Sequence, residues 1–146
     1  MNCFSRVFVA CLCACLLVPK LAAQTSDEKP FTNEELEQIA APIALYPDPL
    51  VAQVLMASTY PLEVVAAARW VKANPSVKGK ALEDEMQNQP WDPAVKSLTA
   101  FPPVIEMMNT KLDWTQKLGD AFLAQQKELM AAVQTSLEEC KAKKAA

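Results

Sequence analysis

Glu63 sits in the run Leu62-Glu63-Val64-Val65, the setting in this chain that most suggests chemistry. A carboxylate among Val and Ala must find a partner or hold its proton to higher pH, and either state suits acid–base work. Arg69 lies six residues on, on nearly the opposite face of a helix, so a Glu63–Arg69 pair requires a second helix between them. The plainer alternative is an edge residue facing water. Asp48, Asp92 and Glu106 are the other carboxylates that acid–base chemistry could draw on. Asp48 and Asp92 each precede a proline and read first as helix caps.

Other chemistries have thinner support. The chain has no His, which removes the commonest general base and the commonest transition-metal ligand together. A Ser–Lys dyad could draw on Ser58, Ser76 or Ser97, but Ser97 and Lys96 are adjacent, and helix neighbours do not face each other. Glu83-Asp84-Glu85 lacks the glycine turn and alternating oxygens of a calcium loop and reads as a solvated face, so neither metal nor cofactor is expected. Aromatic faces can line a groove for sugars or proline-rich peptides. Tyr46, Tyr60, Trp70 and Trp91, with Arg69, are the candidate binding surface, against the alternative that the tryptophans, Trp114 included, are buried to hold short helices together. The net charge of −3 carries no clustered positive patch, which disfavours nucleic acid as a partner.

The elements that must position these residues begin after an address. Arg6 precedes an unbroken apolar run over 7–18, and Pro19-Lys20-Leu21-Ala22-Ala23 follows it. That is the pattern of a secretory signal peptide, and the run is shorter than the roughly 20 apolar residues a bilayer span needs. Cleavage is expected after Ala23. The alternatives are lipidation at Cys15 or Cys11, the one route by which a membrane becomes a partner, and an uncleaved anchor. Loss of 1–23 takes Arg6 and Lys20 with it, moves the net charge to −5 and leaves a single thiol, Cys140. A lone thiol closes no internal disulfide, so the fold must stand on its apolar core.

Residues 24–32 are polar and read as a flexible leader, and 33–146 as one helical domain. Thr32 or Asn33, followed by Glu34 and Glu35, predicts a helix start, with Leu36, Ile39 and Ala40 as its apolar stripe and Pro42 as its end. Prolines then fall at 47, 61, 75, 90 and 103, between segments rich in helix formers. This predicts short helices over 50–58, 61–73, 80–88, 94–100 and 103–109, each started near a proline. Leu82 and Met86 are the two anchors of the polar helix 80–88. From 120 to 143 there is neither Pro nor Gly, which allows a helix of about 24 residues. Phe122, Leu129, Val133, Leu137 and Cys140 give it a one-sided stripe, which either folds back on the domain or pairs with a partner or a second copy, Cys140 included. No stretch alternates in the manner of a strand, so the chain reads as all-α. Aromatic–Pro pairs recur at Tyr46-Pro47, Tyr60-Pro61 and Phe101-Pro102, yet the intervening segments share little, which favours a compact bundle with a longer C-terminal helix over a solenoid.

The block Ile39-Ala40-Ala41-Pro42-Ile43-Ala44-Leu45-Tyr46-Pro47-Asp48-Pro49-Leu50 resembles a bacterial envelope family known as domain of unknown function 3300. The resemblance continues through Gln53 to Val65, Ala68-Arg69-Trp70, Gln89-Pro90-Trp91-Asp92-Pro93, Val95-Lys96-Ser97-Leu98, Phe101-Pro102 and Trp114 to Phe122. It implies an exported protein of Gram-negative bacteria with this helical domain after the signal peptide, and it brings no established activity, cofactor or catalytic residue. The resemblance also implies that many relatives run on into low-complexity, tyrosine- and glycine-rich sequence, against which a chain ending at Ala146 looks like a minimal version. The combined expectation is a periplasmic or secreted, non-catalytic interaction or scaffold module with an envelope protein or polymer as partner. The alternative is an enzyme or enzyme accessory acting on envelope polymers through Glu63.

Overall fold

The computed structural model describes residues 30–145. The expected signal peptide, with Cys11 and Cys15, lies outside the described residues. Among the described residues seven α-helices follow in order: α1 Asn33–Ala40, α2 Asp48–Ser58, α3 Pro61–Ala73, α4 Lys80–Gln87, α5 Pro93–Leu98, α6 Pro102–Thr110 and α7 Leu112–Ala145. No strand occurs among the described residues, so the all-α reading holds.

The start of α1 is a complete capping box. Thr32 Oγ1 accepts from Glu35 N–H at 3.2 Å, and Glu35 Oε2 accepts from Thr32 N–H at 2.8 Å. Pro42 converts the end of α1 into a 3₁₀ turn over Ala41–Ile43, and the chain bends by 116° into α2. Asp92 caps α5 as its sequence suggests, accepting from Ala94 N–H at 2.8 Å. Asp48 does not do the same. It is the first residue of α2, Pro47 holds the cap position, and no side chain caps that helix. Asp48 therefore acts through its charge at the positive end of the helix dipole.

Four of the prolines mark two hairpins of similar plan. Two helical hairpins, α2–α3 and α5–α6, share one plan: Asp-Pro at the start, then an aromatic–Pro pair at the bend. Their junctions adopt matching backbone angles. Pro47 (φ −58°, ψ 144°) corresponds to Asp92 (−58°, 145°), and Tyr60 (−121°, 59°) to Phe101 (−121°, 70°). A residue before proline is pushed out of the helical region, so an aromatic there ends one helix while the proline opens the next. The hairpins pack like on like, α2 against α5 and α3 against α6.

The helix α7 is the spine that both hairpins and α1 lie against. It starts at Leu112, eight residues before the expected position, because Gly119 is accommodated rather than avoided. A Cβ at Gly119 would collide with the Ser58 carbonyl, so the missing side chain lets α7 touch the backbone end of α2. Thr115, fully buried, donates to the Met108 carbonyl at 2.8 Å and ties the α6–α7 turn. The helix is interrupted at Gln125 (φ −141°, ψ 50°), which aims the buried Gln125 amide at Phe31. Phe31 N–H donates to Gln125 Oε1 at 2.9 Å and Gln125 Nε2 donates to Phe31 C=O at 3.1 Å. Beyond the break, Leu129, Ala132 and Val133 turn inward and α1 covers them. Of the stripe expected over 120–143, Leu129 and Val133 are thus buried in the domain, whereas Phe122, Leu137 and Cys140 are half-buried.

The main core joins α1, α2, α3, α5, α6 and α7 around Leu36, Ile43, Leu55, Val64, Leu98 and Leu118. The helix α4 stands outside it: Leu82 and Met86 are buried, but they do not join that cluster. Two such anchors contribute about 1.5–3 kcal/mol each, against roughly 1–2 kcal/mol for each backbone residue that α4 orders. The helix linking the two hairpins is the weakest-held element of the fold.

Candidate functional site

Beneath α4 runs a groove of about 780 Å³, enclosed by the end of α3, the loop 74–79, the start of α4 and the start of α6. This volume lies within the range of small-ligand sites. Trp70 and Val71 come from α3, Val77 from the loop, Leu82 from α4, and Pro103 and Ile105 from α6. Two lysines, Lys72 and Lys78, share its edge with one acid, Glu106, and all three are exposed.

Local chemistry builds the walls. Asn74 ends α3 with its backbone N–H on the Trp70 carbonyl at 3.0 Å and its side-chain amide on the same oxygen at 2.8 Å. Pro75 prevents the helix from continuing. Gly79 takes φ +56°, a left-handed conformation that turns the chain into α4 with open space where a Cβ would stand. On the far wall Pro102 and Pro103 open α6, where their missing N–H groups have no helical partner to lose. The lining hydroxyl, Thr99, donates to the Lys96 carbonyl at 2.6 Å. The Asn74 amide and the Thr99 hydroxyl are thus both committed to helix ends, which leaves the groove an apolar slot with a mostly cationic edge.

The structure separates the five residues read as a binding surface. Trp70 lines the groove. Arg69 is exposed beside it but does not line it. Tyr46 and Trp91 are half-buried and pack against the main core, and Tyr60 is exposed at the bend between α2 and α3. Trp114 is half-buried, its indole donating to the Ile39 carbonyl at 3.0 Å. Leu82 was legible as an anchor of its helix, but Val77, Lys78 and Ile105 carry no single-sequence signal that marks a groove wall.

Glu63 and Arg69 do not converge. Glu63 Oε2 accepts the Asp92 main-chain N–H at 2.6 Å, so the carboxylate of one hairpin holds the start of the other. No three acidic or thiol side chains among the described residues gather where a metal could sit. At α1, Glu35 lies below its ordinary carboxylate range, first because the Thr32 backbone N–H donates to it, then through the Thr32 hydroxyl and the charge of Lys117.

The family described as "Protein of unknown function (DUF3300)" matches residues 32–145, from the capping threonine of α1 to the end of α7. The chain belongs to the DUF3300 family. A DUF3300 relative in Escherichia coli (strain K12), "Uncharacterized protein YacH", is 49% identical over 104 residues. That alignment covers 71% of this chain and 17% of the relative, so the chain spans a small part of the longer protein. No solved structure matches the chain. The DUF3300 match takes in both hairpins, the α4 linker and the whole groove.

Proposed function

We propose that this DUF3300 chain is an exported, non-catalytic interaction module of the cell envelope, whose groove receives an apolar segment of an acidic partner protein. The observation that carries the reading is the groove itself: about 780 Å³, walled by Trp70, Val71, Ile105 and rigid prolines, with Lys72 and Lys78 at its edge. Preformed apolar walls lower the ordering needed on binding, and the lysines favour a partner of opposite sign. The non-catalytic part draws support from Glu63, whose oxygen is engaged by the Asp92 N–H, and from Asn74 and Thr99, whose polar groups cap helices. Export draws on the charged start, short apolar run and small-residue exit of residues 1–23.

Two measurements test the halves separately. Fractionation of cells producing the chain with and without residues 1–23 should place only the former outside the cytoplasm; equal cytoplasmic retention sinks export. A photo-crosslinking residue at Val77, in the groove, should yield a discrete adduct in intact cells, whereas one at the exposed Gln134 should not. Reversing both Lys72 and Lys78 to Glu should lower that adduct at least fivefold. Equal adducts from both sites, or a yield indifferent to the charge reversal, would remove the groove as the contact.

A further inference from the structure

We propose that α4 is a displaceable flap over this groove, with Leu82 holding the place that an apolar side chain of the partner takes. The inference rests on the groove being the binding site and adds how that site opens. A second cavity of about 480 Å³ lies on the other side of α4, between α4 and α5, lined by Met86, Gln87, Lys96 and Ser97. The two cavities share Leu82, Thr99 and Ala100 as walls. Leu82 therefore stands at the waist of a longer channel that runs under α4 from Trp70 to Lys96. Leu82 is the one of these three shared walls that α4 supplies.

The flap has the attachments of a hinged element. Gly79 at φ +56° with nothing within 4 Å of a Cβ position leaves its leading end unpacked, and α4 contributes no residue to the main core cluster. Its grip is Leu82 and Met86, four residues apart on one face, 8% and 6% exposed. Glu83, Asp84 and Glu85 on the flap are exposed, with Glu83 at the edge of the second cavity. The flap is thus an acidic amphipathic helix with Leu82 in the groove edged by Lys72, Lys78 and Glu106 and with Met86 in the neighbouring cavity, a helix-in-groove arrangement that recurs in peptide recognition. That arrangement states the chemistry of the partner that replaces it: an acidic helix presenting a pair of apolar residues four apart.

Hydrogen exchange on the full chain, with and without Leu82→Ala, reads the flap directly. Amides of α4 should exchange at least 100-fold faster than those of α3 and α6. Leu82→Ala should raise uptake of the anionic apolar dye 1-anilinonaphthalene-8-sulfonate at least fivefold and the Val77 adduct in cells at least threefold, with the melting temperature nearly unmoved. A core control, Leu98→Ala, should instead lower the melting temperature sharply. If α4 is protected like α3 and Leu82→Ala melts the protein as Leu98→Ala does, the flap is overturned while the groove stands. If α4 exchanges fast but neither form takes up dye or gives an adduct, the groove fails as a site and the hinge remains. Increased dye uptake without an increased adduct overturns the helical partner in favour of a small amphiphile.

Discussion

At the scale of single residues, the polar groups of this domain are spent on chain ends. Thr32 and Glu35 satisfy each other's backbone at the start of α1, and Thr32→Ala should lower stability by about 1 kcal/mol, read by thermal or urea melting. Glu35 titrates below the ordinary glutamate range because its charged form accepts the Thr32 N–H. The sign follows from linkage: its contribution is present above the unfolded-state pKa and is lost as pH falls through the lower folded value. Carboxyl NMR titration should find Glu35 below the ordinary glutamate range, and Thr32→Ala, which removes the hydroxyl but keeps the main-chain N–H, should raise it only part of the way. Glu63 shows why a suggestive sequence setting can mislead. The Leu-Glu-Val-Val context announces that the carboxylate needs a partner, but the partner is a main-chain N–H 29 residues away, which side-chain patterning cannot reveal. Glu63→Ala should cost about 1–3 kcal/mol, and Glu63→Gln, which keeps an acceptor oxygen, clearly less. Equal losses would mean that the charge rather than the hydrogen bond matters there.

At the scale of elements, what the sequence disclosed and what it hid divide along local and non-local physics. Helix starts were legible because proline and its neighbour restrict φ and ψ by sterics alone: α3 was expected over 61–73 and occupies Pro61–Ala73, and the other short helices agree to within about two residues. The buried anchors of α1 and α4 followed from spacing for the same reason. Asp48 failed as a cap because capping depends on where the helix begins, and Pro47 took that position. The terminal helix was misplaced at both scales of contact. Its early start at Leu112 depends on Gly119 meeting the α2 backbone, and its break depends on Gln125 reaching Phe31 across 94 residues. The two glycines separate the effects. Gly119→Ala forces a Cβ into the Ser58 carbonyl and should destabilise by about 1–3 kcal/mol, whereas Gly79→Ala meets no atom and should cost about 1–2 kcal/mol through its φ alone. The first loss should fall on the global melt, and the second on exchange of α4.

At the scale of the whole molecule, two like hairpins are closed by one long helix, and the linker between them is left loosely attached over a groove. Each hairpin carries one Asp-Pro start, at Pro49 and Pro93, and one aromatic–Pro bend, at Pro61 and Pro102, while Pro75 and Pro90 flank the linker between them. Closure depends on the half of α7 beyond Gln125. Leu129, Ala132 and Val133 are buried on that side, Ser136 Oγ donates to the Glu37 carbonyl of α1 at 3.5 Å, and Gln125 pins the chain just ahead of α1. Burial of a leucine and a valine is worth roughly 1.5–3 kcal/mol apiece, the paired amide adds about 1 kcal/mol or more, and small domains keep only about 5–15 kcal/mol in all. A chain stopped after Ala124 should therefore lose cooperative unfolding near room temperature, with α1 unprotected in hydrogen exchange. Should that truncation melt within a few degrees of the full chain, the outer half of α7 is an arm free for a partner or a second copy. Its inward stripe would then be a resting contact rather than part of the fold.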